Sequence, residues 1–187
     1  MKKPILNSVF GILATLACTH QTLAALPAPI CQNFEGTLVL SVDPACQILT
    51  RSDTRVYFPD LLSPSSPSQF LGFPGTCFTG EINGTLNNQP VTGESYSGQT
   101  TNNFPNLTGF GQLAFSAATT LVLKNQAGIS LGAIYFRDTG LINLSDGQTQ
   151  EQLVTVGANG LFWGVKGTVQ IGGDEFLGAP LIGQFCR

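Results

Sequence analysis

Residues 157–169 read Gly157-Ala158-Asn159-Gly160-Leu161-Phe162-Trp163-Gly164-Val165-Lys166-Gly167-Thr168-Val169. Gly157 and Gly160 suit a tight hairpin turn, because a residue without Cβ enters positive φ at no steric cost. Gly164 and Gly167 then fall inside the following strand, where a missing side chain admits a neighbour or a strong bend. No helix follows to receive an anion, which excludes a phosphate-binding loop. Working outward, the same texture repeats: candidate strands cover residues 76–86, 90–96, 111–124, 129–137, 149–156, 161–171 and 180–186. Between them stand turn signals such as Asn87-Asn88, Asp146-Gly147 and Gly172-Gly173. Residues 114–123 could take a helical period, but Thr119, Thr120 and Val122 are β-branched and favour strand. Seven or eight short-connected strands describe an antiparallel barrel or a sandwich.

The first 24 residues have a different character. Lys2 and Lys3 precede a mostly apolar run over residues 5–17, and Thr22-Leu23-Ala24 supplies small residues for cleavage. This is the layout of an export signal peptide, and the run is too short to span a membrane, which takes about 20 residues. Cys18 offers the alternative of a lipidated cysteine, although Thr15-Leu16-Ala17 lacks the leucine expected at −3. Removing residues 1–24 takes away Lys2 and Lys3, so the acidic excess among 8 basic and 11 acidic residues deepens. With no basic stripe, nucleic acid and anionic membrane surfaces are poor partners. Charged residues make up only 10% of the chain, alongside 22 glycines and 11 prolines. Such a turn-rich, weakly charged chain suits an exported β protein in the periplasm or outside the cell.

His20 is the sole histidine. Ser–His hydrolysis, histidine acid–base chemistry and His-ligated metals therefore fall away together once the signal is removed. Four cysteines remain: Cys31, Cys46, Cys77 and Cys186. None of their spacings suits a four-cysteine zinc site, so no metal is expected, and an even count in an exported chain reads as two disulfides with three possible connectivities. The expected pairing is Cys31–Cys46 and Cys77–Cys186. In that reading residues 25–75, which hold seven of the prolines, form an extension stapled by the first bridge, with strands at 34–42 and 54–58 and an irregular Ser-Pro loop at 62–75. The second bridge would join the first and last strands of a domain at 76–187. A meander whose ends meet is a closed antiparallel up-and-down β-barrel of about eight strands, a closure that also removes exposed edges.

The motif at 157–169 resembles the turn-and-strand signature of the allene oxide cyclase and dirigent family of β-barrels. The run Arg137-Asp138-Thr139-Gly140 resembles the end of that family's preceding strand, and residues 181–186 sit where its closing strand would. The resemblance covers about residues 76–187. Glu81-Ile82-Asn83 looks like the Glu-Ile-Asn of plant allene oxide cyclases, and Pro90 keeps the spacing of a proline near their active site. The resemblance implies that Glu81 and Asn83 point into the lumen as a catalytic pair. It departs at Gln89, where the family carries a serine, and this chain has no counterpart to the family's lumenal cysteine. With Gln89 and Pro90, the residues Tyr96, Tyr135 and Arg137 complete the candidate ligand-binding set. Arg137 and Asp138 are adjacent and so face opposite sides of their strand; an ion-paired strand end is the plainer account of them. Glu94 and Glu151 suit a barrel mouth or the surface, and Trp163 the lumen or the outside. The triplets at Asn83, Asn106 and Asn143 matter only in a pathway that glycosylates.

Two functions follow as expectations. In the first, the lumen binds a small apolar molecule and steers its cyclisation or isomerisation, with no metal or organic cofactor. In the second, the chain is a non-enzymatic envelope or surface barrel whose lumen is filled by side chains. An eight-stranded barrel is only just wide enough for either. A weakly charged outer face is compatible with a homodimer or homotrimer.

Overall fold

The computed structural model describes residues 29–59, 77–101 and 111–187. The export signal at 1–24, Cys18, Asn106 and the Ser-Pro loop lie outside the described residues. Eight antiparallel strands form a closed up-and-down barrel in chain order, each pairing with the next and the last with the first. They are β1 (Cys31–Val42), β2 (Cys77–Leu86), β3 (Gln89–Thr101), β4 (Gln112–Asn125), β5 (Ser130–Asn143), β6 (Thr149–Ala158), β7 (Lys166–Gly173) and β8 (Ala179–Cys186). Two one-turn helices, α1 (Gln47–Thr50) and α2 (Thr54–Tyr57), lie between β1 and β2.

The chain is thus all-β and barrel-shaped as expected, but it closes through a strand placed in the extension. β1 inserts between β8 and β2, with Leu38 opposite Ala179 on one side and Ile82 on the other. Residues 31–42, expected in an appendage to a barrel at 76–187, are therefore one of the barrel's own strands. The disulfides change accordingly: Cys31 bonds Cys186 and Cys46 bonds Cys77. The reason is register. Cys31 opens β1 directly opposite Cys186 at the end of β8, whereas Cys77 opens β2 at the other end of the barrel, beside the segment that leads into α1.

Strand alternation sorts the side chains. Phe34, Leu38, Ile82, Leu121, Phe136, Leu153, Val169 and Phe185 are fully or almost fully buried and form the lumenal core. Asn87 and Asn88, both at positive φ, make the two-residue turn that joins β2 to β3. Of residues 54–58, expected as strand, Thr54–Tyr57 form α2 instead, and 161–171 is not one strand. A 3₁₀ turn at Gly160–Phe162 precedes β7, so Gly164 (φ +81°) belongs to the connection.

The segment 43–59 covers the outer wall. Ile48 and Phe58 pack on Ala118, Ala133 and Tyr135 in a second buried cluster. Asp43 orders its start by accepting hydrogen bonds from the Ala45 and Gln47 amides at 3.1 and 2.6 Å. Tyr57 stacks on Tyr135 with ring centroids 3.8 Å apart, and its ring occupies the place where Gly157 has no side chain.

Candidate functional site

The two ends of the lumen differ. Phe34, Phe136, Phe162 and Phe185 help to fill the end where β8 finishes. The opposite half holds a cavity of about 260 Å³ with an apolar majority in its wall, including Leu38, Leu40, Phe78, Phe115, Leu121 and Leu153. Ser95, Ser97, Thr119, Thr149, Glu151 and Glu175 are among its polar groups, with Gln99 and Asp174. Period two explains the arrangement: Ser95 and Ser97 alternate with outward residues on β3, Thr119 with Leu121 faces in from β4, and Thr149, Glu151 and Leu153 face in from β6.

Glu151 and Glu175 line the cavity from separate elements, with Asp174 beside Glu175, and the Asp138 carboxyl acts on Glu151 from within the wall. Asp138 on β5 is opposite Ala117 and Leu153, so its side chain shares their lumenal face and is almost wholly buried. Glu151 on β6 is opposite Gly140 and stands diagonally from Asp138. Gly140 leaves the space that the Phe115 ring fills. Glu175 comes from the β7–β8 loop, which is tied down by a 2.7 Å hydrogen bond from the Leu40 amide to the Glu175 carbonyl.

The hydrogen bonds are incomplete in an informative way. Thr119 Oγ1 donates to Asp138 Oδ2 at 2.5 Å, Glu151 shares a hydrogen bond with Asp138, and Thr149 donates to Glu175. Asp138 Oδ1 and Glu175 Oε1 are buried with no partner. Burial pushes Asp138 up to about 7, against hydrogen bonds from Thr119 and Glu151 and the charge of Arg137, which favour ionisation. Burial, then the charges of Asp138 and Glu175, hold Glu151 well above the usual carboxylate range. Burial also raises Glu175 to about 7, with Asp174 adding to the effect. Two carboxyls sharing one proton, with Glu151 as donor, is the arrangement these environments favour.

The residues expected in the lumen lie elsewhere. Glu81 and Asn83 are exposed on the outer wall, while Ile82 between them is buried in the core. Large apolar side chains took the more buried face, and the strand period sent the polar pair outward. Gln89 and Pro90 are exposed beside the β2–β3 turn, at the filled end of the barrel. Tyr96 is on the outer wall, where its hydroxyl donates to Glu94 at 2.6 Å and the Arg51 guanidinium lies over its ring. Glu94 also pairs with Lys124, whose ammonium, with Tyr96, holds its carboxyl below the usual range.

Tyr135 is fully buried, but beneath the segment 43–59 rather than in the lumen. It donates to Asp53 at 2.7 Å and accepts from Asn159 Nδ2 at 2.7 Å. Burial opposes ionisation of Asp53, yet hydrogen bonds from Tyr135 and Arg51 keep its carboxyl below the usual range. Arg137 lies over the Phe58 ring, also outside. Tyr135, Tyr96 and Arg137 are thus brought together as the bed on which segment 43–59 lies. Trp163 is exposed, and the β5 pair separates across the wall as adjacency requires, with Asp138 inside and Arg137 outside.

Asp138 had a signal in the sequence, since it shares a strand face with Ile134 and Phe136. Glu151 alternates with Leu153 in the same manner. Glu175 sits in a loop and had none.

No protein-family model matches the chain, and it matches no curated protein and no solved structure. Among the described residues no helix is long and apolar enough to cross a membrane, and no three or more His, Cys, Asp or Glu side chains form a group that could hold a metal ion.

Proposed function

We propose that this chain is an exported periplasmic or extracellular barrel, of the allene oxide cyclase and dirigent kind, that binds a small, largely apolar molecule in the open half of its lumen. The cavity carries this reading. An apolar cavity of roughly 150 Å³ accepts a benzene-sized molecule, and the one here is about 260 Å³ with polar groups from β3, β4, β6 and the β7–β8 loop in its wall. A few placed polar groups in an apolar wall are the usual make-up of a small-molecule site. A purely structural barrel would be packed throughout, and only one half of this one is.

Cyclase or isomerase chemistry would fall to Asp138, Glu151 or Glu175, which face the cavity or its wall, and not to Glu81 and Asn83, which face solvent. Two disulfides support the exported location. Self-association belongs to the same reading, with Val39 and Ile182 exposed on β1 and β8; sedimentation at tens of micromolar tests it, and a clean monomer rejects it.

The test of lumenal binding is native mass spectrometry on protein purified from its own source. A co-purifying small molecule is expected, and it should be absent from Ala117→Phe, whose ring would project into the cavity. Retention of the molecule by a folded Ala117→Phe protein would place binding elsewhere.

A further inference from the structure

We infer that the molecule bound in the lumen is an organic cation, an amine with an apolar body, whose ammonium group is held by Glu151 and Glu175, with the Asp138 carboxyl acting from within the wall behind them. The inference rests on lumenal binding and adds the chemical class of the ligand.

It starts from a missing counter-charge. Glu151 and Glu175 line the cavity, the charge of Asp138 acts on Glu151 from within the wall, and no Lys, Arg or His is in the cavity lining; the charge of Arg137 reaches Asp138 from the outer face. Arg51, Arg55, Lys124, Arg137, Lys166 and Arg187 are its basic residues beyond the signal region. Arg51 and Lys124 pair with Asp53 and Glu94 on the outside, and Arg137 lies over Phe58 there. Arg55 and Lys166 are exposed, and Arg187 reaches the Leu161 and Trp163 carbonyls at the filled end. Residues 60–76 and 102–110 contain no Lys, Arg or His at all.

The second observation is independent of charge. Asp138 Oδ1 is fully buried and accepts no hydrogen bond, and Glu175 Oε1 is in the same condition. Leaving a buried acceptor unpaired costs about 1–3 kcal/mol, so the Glu175 acceptor left open in the cavity wall suits a ligand that brings donors. An ammonium group brings three N–H donors and no acceptor. Phe78 and Phe115 are in the same wall, where aromatic rings attract a cation, and Leu38, Leu40 and Leu121 receive an apolar body.

Without a ligand, protons do the neutralising. The groups that set the charge of Asp138 are Glu151 from β6, Glu175 from the β7–β8 loop and Arg137 behind the wall, with Asp174 acting on Glu175. An ammonium in their midst favours the ionised carboxylates, so its entry expels a proton.

The experiment is calorimetric titration of the intact exported protein with 2-phenylethylamine, 2-phenylethanol and phenylacetate at pH 6.5, in buffers of different ionisation enthalpy. The amine should bind at least tenfold more tightly than the alcohol, phenylacetate should not bind, and amine binding should release protons. Asp138→Asn and, separately, Glu175→Gln should each weaken the amine at least fivefold more than they weaken the alcohol. The loop position of Glu175 keeps this comparison usable if Asp138→Asn folds poorly. Equal binding of amine and alcohol, both lost in Ala117→Phe, would overturn the cation and leave lumenal binding standing. Failure of all three probes to bind would remove both.

Discussion

Thr119 and Asp138 meet inside the barrel, the Thr119 hydroxyl donating to Asp138 Oδ2 at 2.5 Å from the neighbouring strand. This bond anchors a carboxyl whose other oxygen is unpaired and whose surroundings favour the protonated form. The consequence is a pH dependence of stability. Asp138 goes from about 3.9 in an unfolded chain to about 7 in the fold, so the folded state binds the proton more tightly between those values. Its contribution is fully present below the unfolded value and is lost as pH rises through about 7; Glu151 and Glu175 act in the same direction. Urea unfolding should therefore show a more stable protein at pH 5 than at pH 8. Asp138→Asn keeps an acceptor for Thr119 and cannot ionise, and at pH 8 it should be more stable than the parent by on the order of 1–3 kcal/mol. A parent protein whose stability is flat between pH 5 and 8 would contradict the buried cluster.

The two disulfides should differ in weight. Cys31–Cys186 spans 155 residues and Cys46–Cys77 spans 31. Loop-closure entropy then assigns roughly 5 kcal/mol to the first and about 3–4 to the second. Removing Cys31 and Cys186 together should cost more than removing Cys46 and Cys77 together. Non-reducing peptide mapping should recover Cys31 joined to Cys186; recovery of Cys31 joined to Cys46 would reject the placement of β1.

How legible the fold was depended on period and punctuation. Alternation and Asn or Gly turns marked the strands from Cys77 onward, because each strand half-buries one face and each connection is short. The role of β1 was not legible. Its alternating Leu38, Leu40 and Val42 mark a strand, but a break of 34 residues separates Val42 from Cys77, and nothing local says that a strand so far upstream closes the barrel. Pairing of Cys31 with Cys186 is the same long-range fact in covalent form. In the site, the face that Asp138 shares with Ile134 and Phe136 could be read, whereas Glu81 and Asn83 followed Ile82 in the opposite sense to the one expected. Ile82 settles the matter physically, since its side chain gains far more from the core than a carboxylate could.

Glu81 gives a direct check on that outcome. Glu81→Gln and Asn83→Ala alter exposed groups on the outer wall, where substitutions usually stay within about 0.5 kcal/mol. Thermal unfolding and lumenal ligand binding should both match the parent. A loss of binding in Glu81→Gln with unchanged stability would restore the pair to the site.

The last prediction concerns the wall behind the cavity. A β-bulge at Val156 lets Gly157 pair with Tyr135 on the outer face of β5 and β6. There the Tyr57 ring stacks on Tyr135, and a Cβ on Gly157 would lie 2.2 Å from Tyr57 Cε1. Gly157→Ala must therefore push the ring away and loosen the stack. The Tyr135–Asp53 hydrogen bond and the Arg51–Asp53 ion pair hold the same segment, so they should weaken together with it. Overpacking of this kind typically costs 1–3 kcal/mol. Because the segment covers outward-facing residues while the cavity lies on the inner face, the substitution should lower stability and speed proteolysis within residues 43–59, yet leave lumenal affinity within about twofold when measured well below the melting temperature. Unchanged proteolysis in Gly157→Ala would show that the segment is not held by this contact.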